Sequence, residues 1–548
     1  MSISGINRAV PIAALALTLT SLTLDGQPID DGQIAEHFRA GQQDMQQGRF
    51  AEAVTQFKEA LRGQPDLVEA RVNLGLAYQA LGDYPLAVAE LSRAVRQRPN
   101  LFPASLFLGI SYLKLGLPEK AIPPLHIALS IEPSNREAAR ALATAEMEQL
   151  NYSEAAARFR KLSSSDPDKA SAWYALGHDY LEMVKQLTTQ LSSQFPDSAW
   201  SFRLAGDVLA ERRLWNDAAS AYRKALQTDP GQSGLHGALA EALFKGGKKA
   251  QAEAERALEK SPASDESVTA SETSAARSVA ACEKDTDSQR CANLLKSVEK
   301  ARQGDLLRLG QALLAAGDDE AASEILATAF RKTKSDPESV YWLCRSYLRL
   351  SDACFNQLAA LYPDSWRAHE LKAEEFHIRH ADGEAIEEYR AAERLNPKDN
   401  KIHEALGEIL VDKKALPEAR SELEAALRLN PNSPRTLYLI GRVEVDAREP
   451  AKGIPYLETA LHYDPTLIEA RPVLGMAYLK VGKPELAVEQ LQRSSELDRY
   501  GDLHYLLYEA YRQEGKAELA TKALARSQAL RRKSAADDQA KIRRVDDN

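Results

Sequence analysis

Trp173–Tyr180 reads WYALGHDY, which sets Trp173, Leu176, Gly177 and Tyr180 at the spacing W-x2-L-G-x2-Y. Residues at i, i+3, i+4 and i+7 lie along one face of a helix. A glycine in the middle of that face weakens the helix by about 1 kcal/mol relative to alanine, so its use there asks for a second helix at close range. The same face recurs along the chain. Leu74, Gly75 and Tyr78 are followed by Ala87, Leu91, Ala94 and Pro99, and Gly109 and Tyr112 by Ala121, Leu125, Ala128 and Pro133. Gly75 to Gly109 is 34 residues, and so is Pro99 to Pro133. The helical period within a unit and the 34-residue period between units are independent signals, and they agree.

These units resemble the tetratricopeptide repeat (TPR) family, and the resemblance covers nearly the whole chain after the first thirty residues. It implies an all-α fold, a TPR helix-turn-helix solenoid with a right-handed superhelix, of about fourteen repeats in two halves. The expected organisation is a signal-like segment at 1–30, an N-terminal array at 34–260, a low-complexity linker at 261–300, a C-terminal array at 301–530 and a charged tail at 531–548. Gly, Ala, Leu and Tyr at signature positions are core residues and carry no chemistry.

Two units are shortened. Tyr180 to Pro196 spans 16 residues where Tyr78 to Pro99 spans 21, and Tyr347 to Pro363 spans 16 again. In both, the Gly-Asp-Tyr turn between the helices is missing, and each is still read as two antiparallel helices. The two copies lie 167 residues apart. At that offset Pro196-Asp197-Ser198 falls on Pro363-Asp364-Ser365, Tyr222-Arg223 on Tyr389-Arg390, Pro230 on Pro397 and His236 on His403. A shared defect is better evidence of descent than shared consensus, so 136–260 and 303–427 read as one duplicated block.

The first thirty residues carry Arg8 and then the uncharged run AVPIAALALTLTSLTL at 9–24. A basic start and a short apolar run fit a secretory signal, and the run is short for a membrane span. The expectation is an exported protein, periplasmic or secreted and of bacterial type, with an uncleaved N-terminal anchor as the alternative. A net charge of −9 argues against nucleic acid as the partner. In an exported chain, Cys282 with Cys291 and Cys344 with Cys354 are candidate disulfides, with buried free thiols that pack as small apolar residues as the alternative.

No G-x-S-x-G, P-loop or G-x-G-x-x-G occurs in the chain, and HEALGE at 403–408 lacks the second histidine of a zinc peptidase. The histidines His369, His377 and His380, with Glu370 and Glu374, spread along one helix too far to share an ion. No metal ligand, cofactor or catalytic residue is assigned, and an enzyme is not expected.

The resemblance places partners in a concave groove lined by the first helix of each repeat. Carried onto this chain, the groove positions are Val72, Leu76 and Gln79, then Leu106, Ile110 and Leu113, an apolar strip. Further on they are Glu370, Glu374, Glu404 and Glu408, an acidic strip, followed by Met476 and Leu479. The Lys and Asn clamp of chaperone-binding members is replaced here by Val72, Leu76, Leu106 and Ile110. The implied function is a non-catalytic scaffold that holds peptide or protein partners and serves envelope-complex assembly. The expected ligands are an apolar peptide or amphipathic helix in the N-terminal repeats and a basic partner in the C-terminal ones; the alternative is that the apolar side chains pack on a neighbouring superhelical turn or on the chain's own N-terminus. The alternatives are a self-assembling structural solenoid and, less favoured, an enzyme with an unrecognised site.

Overall fold

The structure is a computed structural model that describes residues 30–166, 168–211, 214–259, 301–333 and 336–546. Among these residues are 26 α-helices, a short 3₁₀ turn at Ser495–Leu497 and no strand. The helices form two compact units. One holds 84–371 with 378–380; the other holds 30–83, 372–377 and the described chain from 381 onward. The segments read as signal and linker, with Cys282 and Cys291, lie outside the described residues.

Within each unit, antiparallel helix pairs follow one another, and the signature glycines show why the pairs form. A Cβ on Gly109 would stand 2.4 Å from Leu125 Cγ, and one on Gly407 would stand 2.5 Å from Leu423. The second helix lays a leucine directly over the bare backbone of the first. Most of these helices present a single apolar face, so their stability comes from packing on a neighbour more than from propensity.

The turn between the paired helices uses the left-handed region, where a terminating residue lets the chain double back. Gly48, Gly82 and Gly116 occupy it at 34-residue steps, and Leu150 takes the next step at φ 62°. His380, Lys414 and Arg448 hold the same place later in the chain, at φ 58°, 61° and 66°. His380 is thus a turn residue with left-handed backbone.

The shortened repeats fold differently from the hairpins expected of them. Each is one uninterrupted helix, Lys169–Gln194 with 26 residues and Pro337–Leu361 with 25. The missing turn removes the only signal that would end the first helix, and Leu181-Glu182-Met183 and Lys185-Gln186-Leu187 are good helix formers. A continuous helix cannot fold back on its own apolar face. The two long helices therefore take each other as partners.

Their contacts run in opposite directions along the two helices. Gly177 lies under Phe355, where an added Cβ would meet the ring at 2.4 Å. The Tyr180 and Tyr347 rings stack at 5.8 Å with 15° between their planes. The Ser351 hydroxyl donates to the Gly177 carbonyl at 3.0 Å, and Thr188 Oγ1 lies 3.8 Å from Cys344 Sγ. Under the 167-residue offset Gly177 becomes Cys344, Thr188 becomes Phe355 and Tyr180 becomes Tyr347. The pairing thus maps onto itself, as a twofold arrangement does. Each first-helix half packs on the second-helix half of the other copy.

Neighbouring helices repeat this exchange. Tyr152–Ser164 and Asp319–Lys332 are equivalent at the same offset. Arg160 Nη2 reaches Glu324 Oε1 at 2.6 Å, Arg331 reaches Glu154 at 3.0 Å, and Tyr152 meets Phe330 edge-on at 5.6 Å. One buried cluster joins Tyr180, Leu187 and Leu191 to Leu326, Phe330, Leu343 and Tyr347.

This corrects the reading of Cys344 and Cys354 as a disulfide. Both are buried free thiols on one helix. Ten residues at 1.5 Å each separate them by about 15 Å, well beyond the roughly 7 Å limit between Cα atoms for a disulfide. Burial pushes the Cys354 thiol up to about 12, and the charges of Glu320 and Asp179 add to the shift.

Candidate interaction surface

The groove positions are best judged helix by helix. On Val68–Ala80, Val72 is 4 % exposed while Leu76 and Gln79 are half-buried. On Phe102–Lys114 the apolar strip is largely consumed by packing: Leu106 and Ile110 are 2 % and 4 % exposed, and Leu113 alone stays half-buried. On Ala470–Lys480, Met476 is half-buried and Leu479 is buried.

The acidic strip is bonded within the repeats. Arg367 binds Glu370, which is buried. Glu404 accepts the hydroxyls of Ser433, at 2.9 Å, and of Thr436. Glu408 pairs with Arg435. Glu404 and Glu408 thus tie their helix to the next repeat, Glu370 pairs within its own helix, and Glu374 is half-buried. An acidic strip free to meet a basic partner is not what the geometry presents.

His377 is also held locally. His377 Nδ1 lies 3.2 Å from Asp382 Oδ1, and Asp382 also faces Lys413 at 3.5 Å. Glu146, which stands where a tyrosine is usual, is buried against Arg158 at 2.7 Å.

Comparison with known families agrees with this repeat architecture. A family model described as tetratricopeptide repeat matches residues 38–102, 77–136, 140–178, 203–265 and 383–434. These stretches of the chain are tetratricopeptide repeats. No curated protein matches the chain. Solved structures similar to it include YrrB, a TPR protein with an unusual peptide-binding site, at 22 % identity over 34 % of this chain and 97 % of that one, TM-score 0.29. The APC/C hetero-tetramer Cut9–Hcn1 is similar at 14 % identity over 91 % of this chain and 94 % of that one, TM-score 0.30. MamA from Desulfovibrio magneticus RS-1 is similar at 20 % identity over 31 % and 97 %, TM-score 0.29.

In TPR terms, the sequence reading missed one cluster of groove positions. Trp200, Arg203 and Asp207 occupy them on Ala199–Glu211, and the helix Pro337–Leu361 fills the space before them. The Arg203 guanidinium lies 5.1 Å from the Tyr341 ring centre and 5.6 Å from those of Trp200 and Trp342. Asp207 accepts the hydroxyls of Tyr222 at 2.7 Å and Tyr341 at 2.8 Å, with Arg345 at 3.6 Å. Burial first, and then the Asp207 carboxylate, push both phenols well above their ordinary range, so both donate at neutral pH. The signal was present in the spacing of Trp200, Arg203 and Asp207 around Gly206. What it lacked was any hint that the chain supplies its own occupant for that stretch.

Proposed function

We propose that this TPR protein is an exported, non-catalytic scaffold that holds apolar peptide segments of its partners on the first-helix faces of its terminal repeats, in the service of envelope-complex assembly. The carrying observation is that helical repeats account for the described chain from Asp31 to Asp546, while the shortened middle repeats fill their own inner faces. The terminal repeats keep half-buried apolar groove side chains at Leu76 and Met476. Such side chains suit a helix or extended peptide that completes their burial. The basic-partner idea is set aside, because the glutamates that motivated it bind within the repeats.

Photo-crosslinking tests the reading. A benzoylphenylalanine at position 76 or 476 of the full chain in its native host is expected to capture a discrete partner from the envelope fraction. The same probe on the exposed outer positions Leu86 and Leu486 should not. Equal yields from inner and outer probes would refute the groove assignment. Intact mass settles export separately: loss of about the first 23 residues is expected on the signal-peptide pattern, and a full-length N-terminus in the soluble fraction would refute it.

A further inference from the structure

Three side chains from three successive helices converge in the unit that holds the C-terminal repeats. His403 stands on Asn400–Asp412, Glu393 on Asp382–Leu395 and Glu422 on Leu416–Leu429. His403 is 6 % exposed. Its Nδ1 lies 2.8 Å from Glu422 Oε2 and 3.8 Å from Glu393 Oε1, and the three ligand atoms all lie within 4.8 Å of one another.

The other face of the ring fixes its tautomer. His403 Nε2 lies 3.2 Å from the Pro397 carbonyl oxygen. A carbonyl only accepts, so Nε2 carries the proton. In the neutral ring Nδ1 then points a lone pair at two carboxylates. A histidine that gives one N–H to a backbone carbonyl while its other nitrogen faces carboxylates has the arrangement of a metal-binding imidazole. Among the described residues, neither Glu393 nor Glu422 pairs with a lysine or arginine. The charge that reconciles the three acceptors must come from a proton on His403 or from a cation.

The duplicated copy supplies an internal comparison. His236 and Glu255 stand at the equivalent positions and keep the pair, at 2.7 Å. At the position of Glu393 that copy has Leu226, which packs in a hydrophobic cluster. The pair alone therefore suffices to bind one repeat's helices together. The third carboxylate is an addition confined to the later copy.

We propose that His403, Glu393 and Glu422 form a binding site for a divalent transition-metal ion, with one nitrogen and two oxygen donors of the kind that hold Zn²⁺. Ligand distances of about 2.0–2.2 Å require Glu393 to swing inward by roughly 1 Å. It is half-buried in the last turn of its helix and makes no closer bond to His403 that would resist the move. Three protein ligands leave a coordination position for water or for a donor from a partner. The bound ion would staple three consecutive helices across a repeat boundary.

Zn²⁺ itself is the probe. Metal-stripped full-length protein and its Glu393→Gln variant are titrated with Zn²⁺ by calorimetry at neutral pH. E393Q keeps the His403–Glu422 bond, so it tests the site without removing the contact that packs the helices; equal thermal unfolding of the two metal-free proteins verifies that. The wild type is expected to bind one more Zn²⁺ equivalent than E393Q, or to bind it at least about tenfold more tightly. It is also expected to gain a Zn²⁺-dependent rise in Tm that E393Q lacks. Zinc taken up elsewhere, at the remaining histidines or cysteines, cancels in the comparison. Identical stoichiometry, affinity and Tm response in the two proteins would overturn the proposal and identify the cluster as an imidazolium held by two carboxylates.

Discussion

At the scale of the residue, the closest helix crossings rest on glycines such as Gly109 and Gly407. An alanine at Gly109 would place its Cβ 2.4 Å from Leu125 Cγ, which must move. Gly109→Ala is expected to lower stability by about 1–3 kcal/mol, read as a shift in the urea midpoint. A concurrent Leu125→Ala should make the added methyl nearly neutral. Arg448→Gly is expected to act the other way. Arg448 is exposed at φ 66°, and relief of left-handed backbone in a side-chain-bearing residue should raise stability by about 0.5–1 kcal/mol in the same assay. A third residue gives a pH signature. Burial alone would raise the Asp498 carboxyl, but it accepts from the His504 amide at 2.8 Å, the His504 ring at 2.6 Å and the Gly501 amide at 2.7 Å, and these bonds hold it below the ordinary range. A depressed native pKa adds stability above the unfolded value, near pH 4, and that stability is lost as pH falls through the native value. Asp498→Asn should therefore cost about 1–3 kcal/mol at pH 7 and progressively less below pH 4; a cost that does not vary with pH would refute this account. Gly109 and Leu125 were readable from the 34-residue period, because tight crossings allow so few side chains. Asp498 and Asp207 were not, because their partners are set by geometry that no spacing encodes.

At the scale of the element, the defect was legible and its consequence was not. Sixteen residues between Tyr180 and Pro196, and the same between Tyr347 and Pro363, announce a missing turn. Periodicity tells which face of a helix is core, but it does not tell which helix covers it. Hence Gly177 reads as a signature glycine awaiting its own second helix, while the structure lays Phe355 over it from a segment far along the chain. The same ambiguity produced the expected Cys344–Cys354 disulfide: two cysteines on facing helices of a hairpin would be neighbours, but on one continuous helix they are three turns apart. Reactivity checks this. In a variant with serine at 282 and 291, both remaining thiols should resist iodoacetamide under native conditions at pH 8 and react fully in denaturant without reductant. Burial excludes the reagent, and the Cys354 thiol sits far above the assay pH. Oxidised thiols that need reductant before they react would restore the disulfide and sink the continuous helix. Phe355 is half-buried over Gly177, so Phe355→Ala should cost about 1–3 kcal/mol, and it should destabilise segments on both sides of residue 260 together.

At the scale of the whole molecule, the exchange changes what holds the chain together. A simple solenoid is stabilised by nearest neighbours in sequence, so a cut between two repeats leaves two pieces with one interface between them. In the unit holding 84–371, the repeats before 260 and those after 300 share one core. Tyr180 stacks on Tyr347, Tyr152 meets Phe330 and Tyr347, and Arg160 binds Glu324, all between segments more than a hundred residues apart. The chain between 261 and 300 is thus dispensable as a tether once folding is complete. An engineered protease site near 270 tests this: after cleavage, the fragments should co-elute on gel filtration at low micromolar concentration and part only in denaturant. Tyr180→Ala together with Tyr347→Ala removes the stack at the centre of the exchange and should let the cut pieces separate while the uncut double variant stays helical. If the cut wild type falls apart on dilution, the long helices do not share a core, and each shortened repeat must find its partner within its own array.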